Sequence, residues 1–346
     1  MSKRNGLHEW TLAIFITMGV TIPQSAYADP VADFYKDKSI DILIGATTGN
    51  DFDMRGRMLA RHMGKYIPGQ PNIIVRNMPG GGGIVAMNHM ATRAARDGTT
   101  AHMMFPNMGA LQVAGEPGIA FDVRQFYFIG NTTDSQNVMT AWHTSSFRTI
   151  DDAKTREMVL GATPGNTGIY YARALNQMIG TKFKIISGYP GGNEMNLAME
   201  RAEIHGRASI TYTSWKSTRP QWLAENKIIL FVQVGGKRHP ELPDVPLLHE
   251  LAANAEDRQE LEFLSASVPA ARALVTTPGV PPERVSALRR AFDAVIKSPE
   301  LLAEAAKINM DISPLTGEES QRISDAIVNA LSNVVQRAKA IMNAGP

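Results

Sequence analysis

Ser39-Ile40-Asp41-Ile42-Leu43-Ile44-Gly45, followed by Ala46-Thr47-Thr48-Gly49-Asn50-Asp51-Phe52-Asp53, is the stretch that decides the fold. Its first part is a short apolar run closed by glycine and reads as a buried strand over 39–45. Beyond the polar loop, Met54, Met58, Leu59, Met63 and Ile67 recur at helical spacing, which predicts a helix over 53–67. A second strand is expected over 72–75, a small-residue helix over 84–95 with Val85, Met87 and Met90 inside, and a third strand over 101–105. Strand, helix, strand, helix, strand in that order implies a parallel sheet with right-handed crossovers.

The pattern restarts downstream. Strands are expected over 138–142, 158–160, 183–186, 207–211 and 228–234, with helices over 168–179 and 194–202. His239-Pro240-Glu241-Leu242-Pro243-Asp244-Val245-Pro246 is too rich in proline for regular structure. After a strand over 272–276 come helices. One spans 281–296 and opens on Pro-Pro-Glu; another spans 316–342 and opens on the capping box Thr316-Gly317-Glu318-Glu319. The two α/β sections resemble each other in organisation, which suggests two similar lobes.

The chain has 346 residues, room for two domains of about 150 each. Hydrophobic residues make up 44% and charged residues 20%, the fractions of a globular protein rather than a disordered one. A net charge of +2 with scattered basic residues gives no footprint for nucleic acid. The absence of cysteine excludes thiol catalysis, disulfides and iron–sulfur clusters. Residues 1–28 read as a secretory signal peptide. Lys3 and Arg4 precede an apolar run over 12–22, shorter than the about 20 residues a bilayer span needs, and Ala26-Tyr27-Ala28 supplies the small-residue cleavage pattern before Asp29. An exported chain without cysteine fits a bacterial periplasm.

Two loops share one physical logic. Ala46–Asp53 and Gly161-Ala162-Thr163-Pro164-Gly165-Asn166-Thr167-Gly168 each run from a strand, through Gly, Thr and Asn, into a helix N-terminus. Unpaired N–H groups and the positive end of the helix dipole at the carboxyl edge of a sheet bind anions without Lys or Arg. N-capping by Asp53 or Thr167 is the structural alternative for either loop alone. A third loop, Asn77-Met78-Pro79-Gly80-Gly81-Gly82-Gly83, only formally fits a dinucleotide fingerprint, because it follows the second strand and Asp97 lies too close behind it. Asn166 stands where a phosphate loop requires Lys. Enzyme constellations are poor: His249-Glu250-Leu251-Ala252-Ala253 lacks the second zinc-binding His, there is no G-x-S-x-G, and the eight histidines show no metal-ligand spacing. No cofactor is expected.

The chain resembles the periplasmic receptors of tripartite tricarboxylate transporters, the Bug-type receptors. Pieces that carry the resemblance are Phe34–Ile40, Asp53 with Arg57, Leu59, Ala60 and Arg61, the loop Asn77–Gly82, and Arg96-Asp97-Gly98-Thr99. Further pieces are 161–168, Gly188-Tyr189-Pro190-Gly191-Gly192-Asn193-Glu194, Pro240–Pro246 and Pro278-Gly279-Val280-Pro281. Together they cover essentially the whole mature chain. The resemblance implies a two-lobed α/β fold of periplasmic-binding-protein type, each lobe a mainly parallel sheet flanked by helices, with a ligand cleft between them. Lobe 1 would be 29–133 with 266–346, and lobe 2 would be 134–265, with crossings near 130–134 and 263–269. It further implies a small-molecule carboxylate ligand, held by Thr47, Thr48, Gly49 and Asn50 from one lobe and Thr163, Gly165, Asn166 and Thr167 from the other. The implied partners are the membrane permease subunits of a tripartite transporter, and the implied state is a monomer.

The first loop departs from the family. Many members carry Pro-Gly-Gly where this chain has Thr47-Thr48-Gly49-Asn50-Asp51. Asp51 would repel a carboxylate unless it points away or caps the helix. Of the aromatic residues Tyr170, Tyr171, Tyr189, Tyr212 and Trp215, the last two follow the strand over 207–211 at a carboxyl edge. They are expected to flank the apolar body of the ligand, favouring an aromatic or larger organic acid. Two rival readings use the same scaffold: a carboxylate sensor that presents its closed form to a membrane kinase, and an exported enzyme. A dinucleotide-binding oxidoreductase is a distant fourth.

Overall fold

The computed structural model describes residues 29–134 and 136–343. The signal-peptide expectation for residues 1–28 lies outside them. Eleven strands form two sheets among these residues. The first contains β1 (Ser39–Ile44), β2 (Asn72–Asn77), β3 (Thr100–Met104), β4 (Tyr127–Asn131), β10 (Ala273–Thr276) and β11 (Leu315–Thr316), in the order β11-β4-β10-β3-β1-β2. The second contains β5 (Asn137–Trp142), β6 (Met158–Gly161), β7 (Phe183–Ile186), β8 (Gly206–Thr211) and β9 (Ile228–Val234), in the order β7-β6-β8-β5-β9.

β1 pairs in parallel with β2 and β3, and β6 with β7 and β8, as the alternating sequence pattern implies. Both sheets are nevertheless mixed rather than mainly parallel. β10 runs antiparallel to β3 and β4, and β5 runs antiparallel to β8 and β9. These are the strands that the chain enters from the other sheet, so no βαβ crossover fixes their direction.

The chain leaves the first sheet after β4 and returns to it at β10. Asn131, fully buried, ties the two passages together. Its Oδ1 accepts from the Arg272 backbone N–H at 2.8 Å, and its Nδ2 donates to the carbonyls of Thr133 at 2.7 Å and Pro269 at 3.0 Å. One apolar cluster runs through both halves, including Met87, Met104 and Phe128 with Met139, Leu160, Tyr171 and Phe231.

Local sequence explains the elements that flank the cleft. The helix Asp51–Met63 starts earlier than its apolar spacing suggested because Asn50 caps it, accepting from the Asp53 N–H at 3.0 Å. Asp51 and Asp53 lie in its first turn and Arg61 and His62 in its last, matching the helix dipole. The single C-terminal helix expected over 316–342 is two helices, Gly317–Val328 and Ser332–Asn343. The first begins on the capping box, with Thr316 N–H donating to Glu319 Oε2 at 2.8 Å and Glu319 N–H to Thr316 Oγ1 at 3.2 Å. The second turns away onto the helix Ala255–Ser265, where Arg337 pairs with Glu256, Asp257 and Glu260, each at 2.9 Å. No helix among the described residues is long and apolar enough to cross a membrane.

Candidate ligand cleft

A cleft of about 420 Å³ opens where the two sheets face each other. The loops after β1 and β6 both reach it, and they are built alike. Gly49 at φ +81° precedes the cap Asn50, and Gly165 at φ +71° precedes the cap Asn166. Asn166 Oδ1 accepts from the Gly168 N–H at 2.8 Å, as Asn50 does from Asp53. The two asparagines, rather than Asp53 and Thr167, are therefore the caps. The first helical positions beyond them, Asp51 with Phe52 and Thr167, carry N–H groups of the kind that lack an intrahelical partner.

Thr47, Gly49, Asn50, Thr163, Gly165, Asn166 and Thr167 all line the cleft. Thr48 does not: its hydroxyl lies 3.4 Å from Asn77 Oδ1 on the exposed side. The Gly49 N–H is taken by Asp53 Oδ2 at 2.8 Å, so it is not a free donor.

Tyr212 and Trp215 are also absent from the lining, contrary to expectation. The reason is local. Thr211 caps a short helix, Tyr212–Thr218, by accepting from the Ser214 N–H at 3.2 Å. One turn of helix carries Trp215 into the outer core of the second lobe, fully buried against Trp222 at 5.8 Å between ring centroids. The Tyr212 hydroxyl donates to Glu241 at 3.0 Å. Tyr189, Thr211, Ser214 and Thr218 reach the cleft from this side.

The aromatic wall comes instead from the first lobe. Phe52 and Phe105 stack with centroids 4.1 Å apart, and the Arg272 guanidinium lies 4.0 Å from the Phe52 centroid. Arg272 is the key to Asp51. Its Nε donates to Asp51 Oδ2 at 2.5 Å, while Arg55 Nε donates to both carboxylate oxygens at 3.1 Å. Burial pushes the Asp51 carboxyl up, but the two guanidinium groups outweigh it and hold it at about 2. One carboxylate between two arginines leaves this floor with a positive excess, so Asp51 does not repel an anion. Arg272 also reaches the second lobe, where its Nη2 donates to Thr211 Oγ1 at 3.0 Å.

The rims of the cleft touch. Asn107 Nδ2 donates to the Gly165 carbonyl at 2.6 Å, and Gly82 lies so close that a Cβ on it would stand 2.4 Å from the Pro164 carbonyl oxygen. Thr47 Oγ1 approaches Gly191 in the same way, 2.9 Å from a Cβ built there.

Sequence reasoning missed Arg207, Arg272, Phe52 and Phe105. The signal for Arg207 was a charged residue in the otherwise apolar and small-residue strand Gly206-Arg207-Ala208-Ser209-Ile210-Thr211. Among the described residues no group of His, Cys, Asp and Glu is arranged to hold a metal ion.

The model of a family described as the tripartite tricarboxylate transporter family receptor matches residues 56–344. The chain belongs to this receptor family. A curated relative from Cupriavidus necator, the UPF0065 protein in gbd 5'region, is 23% identical over 321 residues, 90% of each chain. The receptor's fold recurs in solved structures. The periplasmic binding protein BugD matches with a TM-score of 0.67 at 16% identity, over 89% of this chain and 99% of the other. A protein of R. palustris solved with adipate gives 0.67 at 19% identity, over 87% and 97%. MatC from Rhodopseudomonas palustris with bound malate gives 0.64 at 17% identity, over 89% and 99%. The matched span begins at Gly56, so the receptor's second loop lies inside it and the unusual first loop, Thr47–Asp51, lies before it.

Proposed function

We propose that this chain is a periplasmic receptor that takes a small organic carboxylate into the cleft and delivers it to the membrane permease of a tripartite transporter. The observation that carries this reading is the charge of the cleft. Asp51, its lone carboxylate among the described lining residues, is neutralised by Arg55 and Arg272, and the other titratable lining groups are Tyr189 and Arg207. The floor and the two Gly-Asn loops together suit an anion. Relatives of the same fold bind adipate and malate.

On this reading the lobes, 29–133 with 266–346 and 134–265, close about the paired crossings that Asn131 clamps. Thr47, Asn50, Thr163, Gly165, Asn166 and Thr167 contact the ligand, Gly49 lines the cleft as the left-handed turn before the Asn50 cap, and Thr48, Tyr212 and Trp215 support those contacts from outside it. The receptor acts as a monomer without a cofactor and without turnover. Its lining serves binding on this reading: among the described lining residues the one Asp is engaged by two guanidinium groups, and there is no His, Cys, Lys or Glu.

A thermal-shift screen of the purified protein tests the binding, and uptake by a strain lacking the gene tests the transport. A carboxylate at 100 times its Kd stabilises by about 2.7 kcal/mol. Loss of uptake of that acid in the deletion strain supports delivery to a permease. Retained uptake with lost induction of transport genes would favour the sensor reading. N-terminal sequencing of periplasmic protein should begin at Asp29.

A further inference from the structure

One cation of the cleft lacks a counter-ion among the described residues. Arg207 stands on β8, paired with Thr140 of β5 and Gly161 of β6, and is only 7% exposed. Its hydrogen bond runs from Nη1 to Asn196 Oδ1 at 3.1 Å, and its buried Nε has no acceptor among the described residues. Its guanidinium carbon lies 5.3 Å from the Trp215 ring centroid. The charge acting on it is another cation, Arg219, which is itself held by the Thr218 carbonyl and Asn193 Oδ1. Burial first, and Arg219 second, pull its pKa below the ordinary guanidinium value. Arg55 and Arg272, equally buried, share Asp51.

Removing a guanidinium from water without a counter-charge is strongly unfavourable, so an orphan of this kind needs an explanation. The surroundings of Arg207 supply one. Both Nη atoms lie 3.2 Å from where a Cβ on Gly192 would sit, at the first position of the helix Gly192–Glu200. The N-cap of that helix, Gly191, offers no side-chain acceptor to its first N–H groups. Arg207, Gly191, Gly192 and Asn196 all line the cleft. A guanidinium with a free Nε and an uncapped helix start therefore converge on one wall.

We propose that Arg207 is the charge-selecting residue of this receptor, taking an anionic group of the ligand as its counter-ion against the start of the helix Gly192–Glu200. This rests on the cleft being the receptor site, and it assigns the selection for charge to a buried side chain rather than to the loop backbone. Glycine at 192 is then required because any side chain would fill the space beside the guanidinium.

The test is a calorimetric titration of wild type, Arg207→Gln and Arg207→Lys with succinate, malate, adipate and benzoate, each beside its uncharged amide. Wild type should prefer an acid over its amide by about 10–100-fold, the worth of a hydrogen-bonded charge pair. Arg207→Gln should lose most of that preference while its affinity for the amide is kept, and Arg207→Lys should restore part of it. If Arg207→Gln keeps the preference, or loses acid and amide affinity in equal measure, Arg207 is structural and the inference fails while the receptor reading stands. If wild type binds none of the acids, the receptor reading itself fails. Thermal unfolding of each variant, run alongside, confirms that the titrated protein is folded.

Discussion

Asp51 and Arg272 are 221 residues apart in sequence and meet at 2.5 Å beneath the cleft. Asp51 opens the helix behind the first loop, and Arg272 sits where the chain returns to its first sheet. Because Arg272 also holds Thr211 Oγ1, the contact joins the first cleft loop, the crossing and the second lobe in one buried network.

Breaking that network should be costly. Asp51→Asn leaves two buried guanidinium groups without their shared charge, and a loss of about 3–5 kcal/mol is expected in urea unfolding. The acid limb of the wild-type stability profile carries the same signature. The Asp51 pKa is lowered from 3.8 to about 2, so its contribution is complete above the unfolded value and vanishes as the pH falls towards 2. Asp51→Asn should flatten that part of the profile.

His102 predicts a second pH effect at milder acidity. The ring is fully buried, its Nδ1 lies 3.0 Å from the Leu43 carbonyl oxygen, and burial, only partly opposed by that contact, lowers its pKa from 6.5 to about 4. The unfolded chain takes up this proton first as the pH falls. The stability that neutral His102 contributes is therefore whole above 6.5 and lost on the way down to 4, on the order of 3 kcal/mol. Unfolding free energies at pH 5 and 7 should differ less in His102→Gln than in wild type, with the pH values chosen at about the middle and just above that window.

Closure of the cleft is tested at Gly82. It adopts φ +61°, and a Cβ there would press on the Pro164 carbonyl oxygen across the rim. Gly82→Ala should weaken ligand binding by about tenfold or more while lowering stability by only the about 1–2 kcal/mol of a left-handed residue. Gly180→Ala, at φ +72° with open space around it, is the control for backbone strain and should leave affinity intact.

Tyr212→Phe separates lining from support. The hydroxyl it removes bonds Glu241 outside the cleft, so affinity should be unchanged and stability should fall by about 1 kcal/mol. A marked loss of affinity in calorimetry would return Tyr212 to the binding surface.

Much of this molecule is legible where its structure is local. The strand Ile228–Val234 shows as the largely apolar run IILFVQV, and both cleft loops show as Gly-Asn pairs between a strand and a helix. What escapes is set by distant partners. The directions of β5 and β10 depend on strands met after a lobe crossing. Tyr127–Asn131 is too short and too mixed to announce a strand, yet β10 and β11 flank it. Trp215 reads as a ligand aromatic until the Thr211 cap turns it inward. Asp51 reads as a repulsive charge until Arg272 arrives from the far end of the chain.

Selection of anions by the cleft is open to a single decisive measurement. Calorimetric titration of the wild-type protein with malate, adipate and their amides, at low and at physiological salt, tests it most directly. At least one acid should bind saturably and one-to-one, weakened by salt, with its amide bound far more weakly or not at all. Binding of the amides as tightly as the acids, or of neutral sugars in place of both, would contradict it.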